Sequence, residues 1–286
     1  MSASRVDRYE SCHFSYFMRY GLEAEPRKPA GFSAPEYGTF VHDVLEHVLQ
    51  DAMFQQTVLP GWEDPVGGAE NRRRLRELTR EAVDRYVKEK LGGLENQTER
   101  FRYLFRRLLR SVQAVVDNVT QELAVSKFQP ISFELGFGQE KDLPPVEFTV
   151  DGVTLSITGF VDRVDGWLHN GRLYLRVVDY KTGRKSFDLT EVWNGLGLQM
   201  LLYLFTLEAQ GENYYGRPVE GAGVLYLPAR DAILQGSRTM SDETWRKKLD
   251  KELTRSGLVL DDPEVISAME SPGEQGYRFL PLKVSK

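Results

Sequence analysis

Ahead of residue 130 the apolar positions recur every three or four residues, and from Ile131 onward they alternate with polar ones. The first pattern predicts helices and the second predicts strands half-buried on a core. Residues 4 to 20 read as a helix opened by a serine cap and stopped at Gly21, followed by a polar loop rich in Pro and Gly from Glu23 to Gly38. His42, Leu45, Glu46 and Leu49 then fall at helical spacing, Pro60 to Gly68 break it, and a long helical region from Ala69 to Val125 follows, reading as an insertion. Strands are predicted over 131–137, 146–150, 153–164 and 172–180, a helix over 189–209 and a strand over 221–227. Residues 242–286 read as a helix and short strand-like pieces. The order implies an α/β architecture, a mixed central sheet flanked by helices with a large helical insertion.

Charged residues interrupt the apolar strands at telling places. Asp179 directly follows Leu175, Val177 and Val178, and Lys181 stands two residues on, so carboxylate and ammonium share a strand face with Cα atoms roughly 6–7 Å apart. Asn170-Gly171 is a strong two-residue hairpin signal between the runs 153–164 and 172–180, which sets Asp162 on a strand next to that of Asp179. Two carboxylates held close repel each other unless a proton or cation intervenes, and hard oxygen donors favour Mg²⁺ or Mn²⁺. With a nearby lysine, such a site suits metal-assisted phosphodiester hydrolysis. Gln199 and Tyr203 lie one helical turn apart, on a face distinct from Leu198, Leu201, Leu202 and Phe205, the positions expected to meet the sheet. An amide and a phenol there could bind a phosphate backbone or position the lysine. Glu134 reads equally as a further acidic group or a strand-edge charge, and His42 alone reads as a helix-face histidine satisfied by Glu46 or by solvent.

Gly159-Phe160-Val161-Asp162-Arg163-Val164-Asp165, Val178-Asp179-Tyr180-Lys181-Thr182-Gly183 and Gln199-Met200-Leu201-Leu202-Tyr203 resemble the successive motifs of the RecB-like branch of the PD-(D/E)XK nucleases, and Tyr37 to Glu46 resembles its histidine motif. Ser2 to Phe17, Glu134 to Gly138 and Gly223 to Pro228 look like segments of the nuclease domain of AddB-type subunits of ATP-dependent helicase-nucleases, which process DNA double-strand breaks. The resemblance implies a restriction-endonuclease-like fold in one domain: a helical portion to about residue 127, a nuclease core over about 128–230 and a C-terminal extension over about 231–286, together a piece of a longer subunit. It implies His42, Asp162, Asp179 and the Tyr180 backbone carbonyl as ligands of Mg²⁺ or Mn²⁺, Lys181 as catalytic, and Gln199 and Tyr203 as contacts to substrate or to Lys181. The implied activity is sequence-nonspecific exonucleolysis of DNA, alongside a helicase-nuclease partner subunit. The alternative is a catalytically silent module that binds DNA ends. The family also holds a [4Fe-4S] cluster on four cysteines; this chain has Cys12 alone, so a cluster belongs at most to a longer polypeptide. Cys12 reads either as one retained ligand or as a small buried hydrophobe.

Composition narrows these readings. With 286 residues, 41% of them hydrophobic, the chain can bury a substantial core. No run approaches the ~20 apolar residues of a membrane span, and a single cysteine forms no intrachain disulfide, so a cytoplasmic, membrane-free setting is expected. The net charge of −5 argues against a generic DNA coat. Local runs modify that sum: Arg72, Arg73, Arg74 and Arg76, then Arg100, Arg102, Arg106, Arg107 and Arg110, read either as solvated helix faces or as a surface that tracks a strand.

Overall fold

The computed structural model describes residues 2–25, 34–93, 98–230, 241–273 and 276–283. In chain order the elements are α1 (Ala3–Ser11), α2 (His13–Tyr16), α3 (Ala34–Gln50), α4 (Gly68–Lys90) and α5 (Glu99–Val125), then β1 (Gln129–Phe137), β2 (Val146–Val150), β3 (Val153–Ile157), β4 (Gly159–His169) and β5 (Arg172–Lys181). They continue with α6 (Leu189–Trp193), α7 (Gln199–Tyr215), β6 (Val219–Pro228), α8 (Asp242–Leu253), β7 (Ser256–Val259) and α9 (Pro263–Met269). The central sheet runs β1-β4-β5-β6-β7, and β2 and β3 form a separate hairpin. Neighbours pair antiparallel except β5 and β6, which are parallel and joined through α6 and α7. This is the mixed sheet flanked by helices expected of a restriction-endonuclease-like fold.

Several elements differ from expectation. The N-terminal helix is interrupted at Cys12, whose extended backbone (φ −167°, ψ 105°) ends α1 and caps α2, and a π-helical turn over Phe17–Gly21 completes the segment. The polar loop ends early because α3 begins at Ala34 and runs through Gly38; residues 26–33 lie outside the described residues. The long helical region is two helices. Thr98 opens the second by accepting a hydrogen bond from the Phe101 N–H at 3.2 Å. The run 153–164 divides at Thr158, which bridges to Ser2, so its first part belongs to the outlying hairpin and only its second to the sheet. The helix expected over 189–209 is likewise two, α6 and the longer α7. The hairpin at Asn170-Gly171 forms as predicted, with both residues at positive φ (49° and 78°).

Two apolar layers clasp the sheet. On one face Phe40, Val44 and Leu45 of α3 and Val112, Val116 and Val119 of α5 pack with Val178, Tyr180 and Leu227. On the other, Met200, Tyr203, Leu204 and Leu207 of α7 meet Val161, Leu175, Val177 and Val224. The buried face of α7 therefore runs through 200, 203, 204 and 207, and Phe205, expected on it, is 56% exposed. Because α7 is apolar nearly all round, periodicity alone does not select the face; packing on the sheet does.

A group of charges lies within the α5 face of the sheet. Arg163, Asp165 and Arg176 are fully buried; both arginines contact Asp165 at 2.8 Å, and Arg176 lies 3.1 Å from Glu122 of α5. Arg255 joins at 2.7 Å from Glu122 and donates to Asn118 Oδ1 at 2.6 Å. Burial pushes the Glu122 carboxyl up, but Arg255, Arg176 and Arg163 pull it further down, to about 2. The cluster pins β4 and β5, the strands of the acidic motifs, to α5.

Candidate active site

Pairing of β4 with β5 runs from His169↔Arg172 to Arg163↔Val178 and stops there. Beyond it the strands no longer exchange ladder bonds, and the Tyr180 N–H instead donates to Asp162 Oδ2 at 2.8 Å. The sequence therefore builds a fork: the ladder closes through pairs such as Leu168–Leu173, Trp167–Tyr174 and Val164–Val177, and an acid at its end takes the next free amide. Asp179 and Lys181 point from the opposite side of β5 to Tyr180, as strand alternation requires. Lys181 Nζ lies 2.5 Å from Asp179 Oδ2, so the buried carboxylate is held by the lysine ammonium.

α3 crosses this fork and brings His42 to it. His42 Nδ1 faces Asp162 at 3.6 Å and Glu134 at 3.8 Å, while Nε2 lies 3.2 Å from the Tyr180 carbonyl oxygen. The histidine is thus directed at the acids and not at Glu46, which instead accepts from Gln50. If Nε2 carries the proton, it donates to the Tyr180 carbonyl and leaves the Nδ1 lone pair toward the acids. That carbonyl retains a second lone pair.

Glu134 belongs to the site as well. It has φ +44° within β1, a left-handed conformation that a non-glycine residue adopts at a cost of about 1–2 kcal/mol. Its neighbours Phe133 and Leu135 pair with Arg163 and Val161, so the kink lies opposite Asp162. His42, Glu134 and Asp162 each offer a ligand atom, all within 4.8 Å of one another.

The electrostatics mark the strain of holding these groups together. Burial pushes Asp162 up, and the charge of Asp179 adds to it, while His42 and the Tyr180 amide pull it back, leaving it at about 7. Asp179 is also raised, by burial first, against the downward pull of Lys181. Burial lowers His42, but Glu134 and Asp162 more than compensate and raise it. An imidazole, the clustered carboxylates of Glu134 and Asp162 and the adjacent Tyr180 carbonyl fit a hard divalent cation.

On the α7 side, Gln199 donates to the Tyr203 hydroxyl at 2.8 Å, so the two residues act as one unit. Burial lifts Tyr203 to about 12, against the hydrogen bond from Gln199. Gly159 makes room for this tyrosine: a Cβ there would come within 2.9 Å of the hydroxyl and 2.8 Å of Phe137. Tyr226 of β6, paired with Asp179, puts its ring 5.7 Å from Lys181 Nζ.

A family model described as the PD-(D/E)XK nuclease superfamily matches residues 1–276. The chain belongs to the PD-(D/E)XK nuclease superfamily. Within it, the chain is 32% identical over 291 residues to a protein of Clostridium novyi (strain NT) named as one subunit of an ATP-dependent helicase/deoxyribonuclease, a match covering 100% of this chain and 25% of the relative. It is 33% identical over 286 residues to the protein of the same name from Acetivibrio thermocellus, covering 100% of this chain and 24% of the relative. The chain thus spans about a quarter of the length of these curated relatives.

Other residues singled out in this PD-(D/E)XK chain fall less simply. Cys12 is exposed and accepts from the Ser15 N–H at 3.4 Å, which overturns its reading as a buried hydrophobe; one thiolate does not hold a four-iron cluster. The run from Arg72 is largely engaged on its own helix: Arg73 pairs with Glu70 and Glu77, Arg74 with Glu70, and Arg72 stacks over Trp62. Arg102 pairs with Glu99, and the Arg100 side chain lies outside the described residues. Arg106, Arg107 and Arg110 are exposed. Sequence reasoning left Glu134 open and missed Tyr226; the acid's position two residues before Gly136 on a strand carried no signal of its left-handed backbone. No helix among the described residues is long and apolar enough to cross a membrane.

Proposed function

We propose that this chain is a Mg²⁺- or Mn²⁺-dependent nuclease module that hydrolyses DNA phosphodiester bonds, acting exonucleolytically within a longer subunit of an ATP-dependent helicase-nuclease that processes double-strand breaks. The observation that carries this reading is the meeting of His42, Glu134 and Asp162 where β4 and β5 part, with the Asp179–Lys181 pair near enough for the charge of Asp179 to act on Asp162. Asp162, Asp179, Glu134, His42 and the Tyr180 carbonyl would hold the metal. When bound, the cation supplies polarisation of a phosphoryl oxygen and a lowered pKa for water in contact with it. The chain's own residues do the rest. Lys181 offers its ammonium to the scissile phosphate, where negative charge accumulates as the bond to the leaving oxygen lengthens. Its pairing with Asp179 keeps the ammonium aimed. The Gln199–Tyr203 unit supports the strand backbone or the lysine, and the buried phenol stays protonated and able to donate at neutral pH. Contacts to phosphate carry no base information, so cleavage is expected to ignore sequence. Cys12, exposed, is available as one ligand of a cluster whose other cysteines would lie outside this sequence.

The test is Mg²⁺-dependent degradation of labelled linear single-stranded DNA by the purified chain and by Asp179→Ala and Lys181→Ala, with folding checked by circular dichroism. Each variant is expected to lose about 10²–10³-fold in rate. Full cleavage by either would refute the assignment, and binding without product by the parent chain would favour a silent end-binding module.

A further inference from the structure

Beside the fork lies a cavity of about 210 Å³ whose lining includes Lys181, Arg184, Lys185, Tyr226, Arg230 and Glu252. It falls below the roughly 300–1,000 Å³ of pockets that enclose small organic ligands. Its charge is unbalanced in a specific way. Lys181 is matched by Asp179 and Lys185 by Glu191 at 3.6 Å, but Arg184 at 3.5 Å and Arg230 at 3.2 Å share the single carboxylate of Glu252. Among the described residues, one guanidinium charge is therefore left without a counterion in the lining. Arg230 is the less exposed of the two, and its Nε is buried with no hydrogen-bond acceptor among the described residues. Tyr226 carries both lysine ammoniums near its ring, at 5.7 and 6.0 Å, which fixes them on the side shared with the fork.

We propose that this cavity binds the backbone phosphate next to the scissile one, with Arg230 as its principal donor and Arg184 and Lys185 at its mouth. The inference rests on the nucleic-acid reading of the neighbouring fork. A phosphodiester carries the one negative charge that the lining lacks, and a guanidinium matches its oxygens in a fork geometry. Glu252 then competes with the phosphate for the same two arginines. Occupation of this cavity would set the register of the strand, delivering the following phosphodiester to Lys181.

The experiment is fluorescence anisotropy of a labelled single-stranded oligonucleotide with the 286-residue chain in EDTA, where no cleavage occurs, between 50 and 200 mM KCl. Arg230→Gln is expected to bind about tenfold more weakly and to reduce the log–log salt slope by about 0.7, as when one phosphate of a single strand is no longer neutralised. Glu252→Gln frees both guanidiniums and is expected to bind more tightly than the parent. Opposite signs from the two variants separate a binding subsite from damage to the fold, which would weaken both. An unchanged slope in Arg230→Gln, or weakening by both variants, overturns the proposal. Because binding is read without metal, the outcomes divide cleanly: binding weakened about tenfold with a lower salt slope in Arg230→Gln, in a chain that never cleaves, would sink the nuclease reading alone, whereas cleavage with a parental slope in Arg230→Gln would sink the subsite alone.

Discussion

Gly159 and Glu134 show how much of the site is decided by backbone chemistry at single positions. A methyl group at 159 meets the Tyr203 hydroxyl and the Phe137 ring at under 3 Å, so Gly159→Ala must push the tyrosine away or open the sheet. Such overpacking is expected to cost about 1–3 kcal/mol in urea denaturation and to lower nuclease activity along with it. Glu134 presents the reverse case. Replacing it with glycine removes the left-handed penalty of about 1–2 kcal/mol, partly offset by the extra chain entropy of glycine, so Glu134→Gly should be equally or more stable in the same denaturation. The same variant should bind Mn²⁺ more weakly by calorimetry, because one carboxylate of the cluster has gone. Protons compete for that cluster too. With Asp162 at about 7 and His42 raised, Mn²⁺ affinity should fall as pH drops from 8 to 6, as both groups take up protons that the cation must displace. Calorimetry across that range, with metal binding releasing protons into the buffer, checks the direction.

Among the elements, the clearest energetic test is the contact of α5 with β4 and β5 through Glu122. Its carboxyl, ordinarily near 4.5, is held at about 2 in the folded protein, so it contributes stability that is complete above about pH 4.5 and is lost as pH falls toward 2. That contribution is about 3 kcal/mol. Glu122→Gln leaves three arginines facing one carboxylate, and is expected to cost about 3–5 kcal/mol at pH 7 and to flatten the acid branch of the stability profile, read from thermal melts at several pH values. None of this network was legible in the sequence, because nothing in a period of two or 3.6 says that an Arg on β4, one on β5 and one after α8 will converge on a helix that precedes them all. What was legible was local. β5 announced itself by its apolar residues Leu175, Val177 and Val178, the turn at Asn170-Gly171 by its residue types, and the shared face of Asp179 and Lys181 by alternation. Division of the run at Thr158 was hidden because β-branched residues continue across it; the bend is dictated by the bridge to Ser2 and the packing of Gly159 on Tyr203. The buried face of α7 was hidden by its surplus of apolar residues, and the break at Cys12 by a helical pattern that continues on both sides of it.

For the molecule as a whole, a net charge of −5 coexists with an exposed basic stripe on α5. That helix packs along α3, where Ser111 lies 2.7 Å from the Tyr37 hydroxyl, one turn from the exposed Arg107 and ahead of His42 on the same helix as Tyr37. The stripe reads either as a surface that tracks a strand or as a solvated helix face. Charge reversal at Arg106 and Arg107 together should weaken single-stranded DNA binding and lower its salt slope by about 1.4, the increment for two phosphates; an unchanged slope would mean the stripe is only a solvated face. The hydrogen-bonding approach of His42 to the Tyr180 carbonyl joins residues 138 positions apart, across both long helices and most of the sheet. Closing so large a loop is entropically costly and comes late, after the local hairpin of β4 and β5 has formed. During synthesis, the imidazole leaves the ribosome well before the acids it will face, yet it takes its seat only once they are paired. On the proposed reading, a molecule in which that hairpin has formed and α3 has not docked would hold its acidic strands without their histidine, and the site would be whole only in the fully folded chain.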